Sequence, residues 1–159
     1  MSPFQRIAIR TFMTGMLALS AALARRPGWQ TVSFAWSHWL ARQAIRGKRI
    51  APAVSLAGLG EAWQRGFPSA RQVPIEAIGP DTVYARIETP CPLRGSGDTA
   101  ACWRMMEYDR AVAAAAGRQF VVLQSQAEAG VTSCRVALRL KGSVLDDLVP
   151  AHIRSSSRI

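Results

Sequence analysis

The amino-acid sequence predicts an α+β domain, with a pair of N-terminal helices packed on a largely antiparallel four-stranded sheet that carries one inserted helix, in the order α-α-β-β-α-β-β. Three observations predict it. Apolar residues recur at helical spacing through the first 46 positions, the period changes from 3.6 to 2 at Arg71, and one capped helical stretch interrupts the alternation between residues 99 and 116. A length of 159 residues fits a single domain, over residues 1–150 with a flexible tail over 151–159. Such a domain buries a core without disulfides or a structural metal.

The first helix spans about Pro3–Arg25, with Phe4, Ile7, Phe12, Met16, Leu19 and Leu23 among its recurring apolar positions and Pro27-Gly28 as the stop. Its apolar run, Thr11–Ala24, is about 14 residues, short of the roughly 20 that a membrane-spanning helix needs. Arg6 and Arg10 before that run, and Ala22-Leu23-Ala24 at its end, also match the pattern of a signal peptide, although the same residues make a coherent helix. The second helix, about Trp29–Arg46, lines Trp29, Val32, Trp36, Trp39 and Leu40 along one stripe. That stripe is expected to face the core, with Ser33, Ser37 and Arg42 on the surface. A Gly-, Pro- and Ser-rich connection follows, with a short helix around Leu56–Arg65.

Val73, Ile75 and Ala77, a Gly79-Pro80-Asp81 turn, then Val83, Ala85 and Ile87 read as a β-hairpin with one apolar face. It ends at Thr89-Pro90-Cys91-Pro92, where two prolines stiffen the chain around Cys91. Asp98 or Gly97 caps a helix over Thr99–Ala116 that Gly117 terminates. Cys102, Met105, Met106, Asp109, Val112, Ala113 and Ala116 share one stripe of it, so Asp109 lies on an apolar face and needs a partner: Arg110, Arg86, a sheet edge or a metal. Phe120–Ser125 and Ser133–Leu140 complete the sheet, with Cys134 on the parity of Val136 and Leu138 and hence toward the core.

Charge is unevenly distributed. Of a net +10, the first 60 residues hold eight basic side chains and no acid, whereas the remainder holds 12 basic and 10 acidic ones. This asymmetry suits docking on an acidic partner, whether a larger protein complex, a membrane surface or a neighbouring subunit of a homo-oligomer. Nucleic acid fits less well, because helix 1 spends its surface on apolar residues and the arginines form no continuous stripe. A charged fraction of only 19% against 49% apolar residues also points to apolar surface that meets a partner.

The three cysteines, Cys91, Cys102 and Cys134, fall within one stretch that predicts a strand end, a helix and a hairpin, so they are expected to converge on one site. Their odd number and irregular spacing favour a reducing, cytoplasmic setting, with membrane association through residues 1–50 as the variant of it. Three chemistries remain open. The cysteines are buried packing residues; or Cys91, Cys102 and Cys134, with Asp109 or water as the fourth ligand, hold zinc or iron. In the third, Cys102 is a reactive thiol in the first turn of its helix, with Asp109 beside it in the catalytic site. A Cys-His dyad is not expected, since His38 and His152 lie in the second helix and the tail. Arg94, Gly95 and Gly97 precede a helix and, with Glu107, are the candidate ligand-binding residues, the loop amides accepting an anion such as a carboxylate.

The stretch Gly79–Gly142, through Thr89-Pro90-Cys91-Pro92, Ala101-Cys102, Glu107-Tyr108-Asp109 and Gly130 to Cys134-Arg135-Val136, resembles the C-terminal half of the 2-amino-thiazoline-4-carboxylic acid hydrolase family and the related vinyl-reductase-type ligand-binding domains. The resemblance implies a small α+β domain with a cysteine-lined pocket for a small molecule. In the named enzyme family it implies hydrolytic opening of a C–N bond in a sulfur-containing heterocycle. Cys91, Cys102, Asp109 and Cys134 are the positions to which it assigns a role. The alternative is a non-enzymatic accessory protein that docks through its basic, Trp-rich N-terminal helices.

Overall fold

The computed structural model describes residues 3–156 and the side chains of residues 11–154. Its elements are α1 (Pro3–Ala24), α2 (Gln30–Lys48), α3 (Leu56–Gln64), β1 (Ile75–Ile78), β2 (Thr82–Ile87), α4 (Thr99–Met105), α5 (Glu107–Ala115), β3 (Arg118–Gln124), β4 (Cys134–Leu140) and α6 (Ala151–Ser156). The fold is α+β: one antiparallel four-stranded sheet of order β1-β2-β4-β3, preceded in the chain by the N-terminal helices.

The hairpin turns where Gly79 N–H donates to the Thr82 carbonyl at 2.8 Å. β4 is central, pairing Ala85 with Val136 on one side and Val122 with Val136 on the other. Val83, Ala85, Val136 and Leu138 are buried in the main core with Phe120 and Val122, Trp63 of α3, and Val112 and Ala113 of α5. α3 lies close against the sheet because Gly60 has no side chain; a Cβ there would sit 2.8 Å from Ile75 Cδ1.

The opposite face of the sheet is covered too. Val121, Ala137 and Leu148 are buried together there, with Leu123 and Leu145 against them. Arg139 fastens this layer: it reaches Asp147 through two bonds of 2.7 and 2.9 Å, the Val144 carbonyl at 2.8 Å and Thr82 Oγ1 at 2.8 Å. Residues 151–156, expected as a tail, form α6, which packs on α4 and β3 and buries Ala151.

Two further expectations are corrected. The helix expected over 99–116 is broken at Met106 into α4 and α5. The Trp103 carbonyl, which a continuous helix would offer to Glu107 N–H, accepts instead from Arg110 Nη2 at 2.7 Å. The buried stripe survives the break, since Cys102, Met106, Asp109, Val112, Ala113 and Ala116 are all buried.

α2 is turned the other way round from its expected orientation. Its buried residues are Ser33, Ser37 and Ala41, an i, i+4, i+8 row of small side chains that lets α2 approach α5 closely. Trp29, Val32 and Trp39 face outward. Helix contact distance is set by side-chain size, and a smooth row against α5 displaced the bulkier Trp stripe.

Candidate functional site

α4 and β4 bring Cys102 and Cys134 together. Asp98 Oδ1 accepts from Ala101 N–H at 2.7 Å and starts α4, placing Cys102 in its first turn, while strand parity turns Cys134 inward. Both are buried, and each thiol shifts the titration of the other. The neighbouring Cys134 thiol, helped by Ser125, brings the Cys102 thiol below its ordinary pKa against the opposing effects of burial and the Asp109 charge; Arg110 also lowers it. Cys102 raises the Cys134 thiol, and burial raises it further. Of the pair, Cys102 therefore loses its proton first.

Cys91 is half-buried on the loop after β2. Burial pushes its thiol up, Leu93 N–H to its sulfur at 3.4 Å pulls it down, and the charge of Cys102 raises it. The three sulfurs thus share one region. Among the described residues, however, no three His, Cys, Asp or Glu side chains are grouped so that they could hold a metal ion. Gln126 N–H donates to the Cys134 sulfur at 3.3 Å and Leu93 N–H to the Cys91 sulfur at 3.4 Å.

Asp109 is fully buried against Trp63, and burial pushes its carboxyl up to about 7 despite the indole N–H of Trp63 and the Arg110 charge. Neither Trp63 Nε1 nor Asp109 Oδ1 completes a hydrogen bond among the described residues, so the indole offsets burial only in part. Arg86 is no partner; it pairs with Glu76 at 3.0 Å and Glu88 at 3.3 Å.

The residues expected to bind a ligand are engaged inside the protein. Gly95 N–H donates to the Gln126 carbonyl and Gly97 N–H to the Ala127 carbonyl, both at 2.8 Å, so neither amide is offered to an anion. Arg94 donates through Nε and Nη2 to Gln126 Oε1 at 2.9 and 2.8 Å and through Nη2 to the Thr132 carbonyl at 2.7 Å. Glu107 bridges His38 Nε2 at 2.6 Å and Arg110 Nε at 2.7 Å.

Gln126 escaped the sequence reading altogether. It is fully buried; Oε1 also accepts from Cys91 N–H at 3.0 Å, and Nε2 donates to the Ile87 and Thr89 carbonyls at 3.2 and 2.9 Å. One side chain thereby ties the cysteine-bearing loop to β2. Nothing in its local sequence distinguishes it from a surface glutamine between Ser125 and Ala127.

A cleft of about 70 Å³ opens beside the thiol pair, walled by Cys102, Ser125, Trp103, Arg110, Pro150 and His152. His152 reaches it because α6 folds back onto α4, so a histidine expected in a tail lines the same cleft as Cys102. Burial and the Arg110 charge hold the His152 imidazole below its usual pKa, so it is neutral at pH 7. Trp103 stacks obliquely on His152 at 5.4 Å and carries Arg110 over its ring at 4.8 Å. A wider, open hollow of about 480 Å³ lies over Gln124, Glu128, Arg135 and Arg154, but it contains no cysteine and its charges are paired, Arg154 with Glu128 at 3.2 Å and Arg135 with Glu76 at 3.0 Å.

Comparison with family models, curated proteins and solved structures finds no match to this chain.

Proposed function

We propose that this protein is a small-molecule-binding domain with a thiol-centred site, and a hydrolase of the kind that the resemblance to the 2-amino-thiazoline-4-carboxylic acid hydrolase family implies. The observation that carries the reading is the buried Cys102–Cys134 thiol pair, with Cys102 at the wall of a cleft that also holds Ser125, Arg110 and His152. A thiol with a lowered pKa is the better nucleophile near neutral pH. Arg110, paired with Glu107 at 2.7 Å, also lines the cleft.

In such a reaction the Cys102 thiolate adds to the ring carbon between sulfur and nitrogen. The ring C–N bond to that carbon breaks and its nitrogen takes a proton. Water then displaces Cys102, so one water is consumed and the thiolate is restored. His152, neutral at pH 7, is the cleft residue able to pass protons in these steps. A cleft of about 70 Å³ is below the few hundred Å³ that enclose a whole small-molecule ligand, so entry requires the α6 wall to move.

The test is turnover of 2-amino-thiazoline-4-carboxylate and related heterocycles by the wild type, Cys102→Ser and a triple serine variant, with circular dichroism as the check on folding. The reading expects ring opening to be lost in Cys102→Ser with the fold kept. Unchanged binding and turnover in the triple variant overturn it. Zinc or iron at one per chain, with thiols protected until chelation, would instead assign the cysteines to a metal site.

A further inference from the structure

The outward face of α2 has a composition that the core does not require. Val32 and Trp39 are 52% and 47% exposed, and Trp36, half-buried between them, stacks on Trp39 at 5.5 Å. Arg42 and Arg46 follow at i+3 and i+7 from Trp39, on the same exposed side. Neither they nor Lys48 and Arg49 have an ion-pair partner among the described residues. Trp36 Nε1 donates to Ser20 Oγ at 3.0 Å and so joins this face to α1, which exposes Phe12 and Leu19. Beyond the start of α2, Arg26 lies over the exposed ring of Trp29 at 4.9 Å.

We propose that the α1–α2 face docks this protein on an anionic lipid bilayer, lying in the plane of the headgroups. Charge selects the occupant. A second copy would set Arg42 and Arg46 against their own kind, and this region, with no acid before Glu61, offers a copy nothing to pair with them. The interleaving of indoles with arginines favours lipid over an acidic protein: the exposed Trp39 ring enters the acyl boundary while the guanidinium groups remain among headgroup phosphates. No helix among the described residues is long and apolar enough to cross a membrane, so the face lies on the bilayer. The base of α1 is held to the domain, Arg104 Nε donating to the Ala24 carbonyl and Arg25 Nη2 to the Pro92 carbonyl. The thiol cleft takes no part, so this inference and the proposed hydrolase stand or fall separately.

Co-sedimentation of the full chain with vesicles of phosphatidylcholine alone, or with phosphatidylserine added, tests the inference at low and high salt. It expects binding to the anionic vesicles, weakened by salt, with a blue shift in tryptophan emission that Trp39→Ser diminishes. R42Q with R46Q should lower partitioning about 25-fold, from about five-fold per charge, with the far-ultraviolet circular dichroism unchanged; Val32→Ser with Trp39→Ser should also weaken it. Failure to bind anionic vesicles, or binding that ignores the arginines, overturns it. So does a concentration-dependent dimer that Trp39→Ser dissociates, which would give the face to a second copy, or tighter binding to a poly-glutamate than to vesicles, which would give it to an acidic protein.

Discussion

Cys134 of β4 lies beside Cys102 in the first turn of α4, and both are buried. Their proximity makes two chemically equal groups unequal, lowering the pKa of Cys102 and raising that of Cys134. Its consequence is unequal reactivity. At pH 7 Cys102 should react with a small reagent such as methyl methanethiosulfonate ahead of Cys134, and Cys134→Ala should slow it roughly tenfold, as expected when the neighbour that lowers its pKa is removed. Peptide mapping of the modified protein reads this directly. Equal rates in wild type and variant would remove the thiol pair from the chemistry.

Asp109 should make stability fall as pH rises. Its folded carboxyl titrates at about 7 and its unfolded one near 3.8, so between those values the native state holds a proton that the unfolded state has lost. The contribution is fully present below the unfolded value, declines through this window and is gone above about 7. Asp109→Asn should abolish that decline and raise stability at pH 8 by roughly 4 kcal/mol relative to wild type, on the scale of the whole shift. Urea denaturation at several pH values gives the comparison; parallel pH profiles would show that Asp109 is solvated or paired.

Gln126→Leu should destabilise strongly for its size. It leaves Cys91 N–H, Arg94 Nε and the Ile87 and Thr89 carbonyls without this partner, while Arg94 Nη2 keeps the Thr132 carbonyl. The expected loss is about 3 kcal/mol or more, with faster hydrogen exchange confined first to residues 87–97. A loss below about 1 kcal/mol would show that water replaces the side chain without cost.

The orientation of α2 can be tested by paired substitutions. Ser37→Leu forces bulk between α2 and α5 and should cost about 1–3 kcal/mol. Val32→Ser on the outward face should change stability by no more than about 0.5 kcal/mol. The reverse ranking would restore the Trp stripe to the core.

Much of the fold was legible because its signals are local. The switch of period at Arg71, the Gly79-Pro80-Asp81 turn and the Asp98 cap each act within a few residues, and they located the sheet, the hairpin and the start of α4. The parity of Cys134 with Val136 and Leu138 likewise put it inside. The site was legible only in part: the cysteines were singled out, whereas Gln126 and His152 were not.

Sequence by itself located the elements as far as β4, the basic bias of the first 60 residues and the inward parity of β2 and β4, since propensity, capping and alternation depend on neighbours in the chain. Tertiary structure decided which face of α2 is buried, where the helix breaks at Met106, and that α6 returns His152 to the cleft beside Cys102. Those outcomes depend on which surfaces fit together. A row of serines buries well only against a helix that can come close, and a glutamine becomes a hub only when a distant loop presents its amides and carbonyls to it.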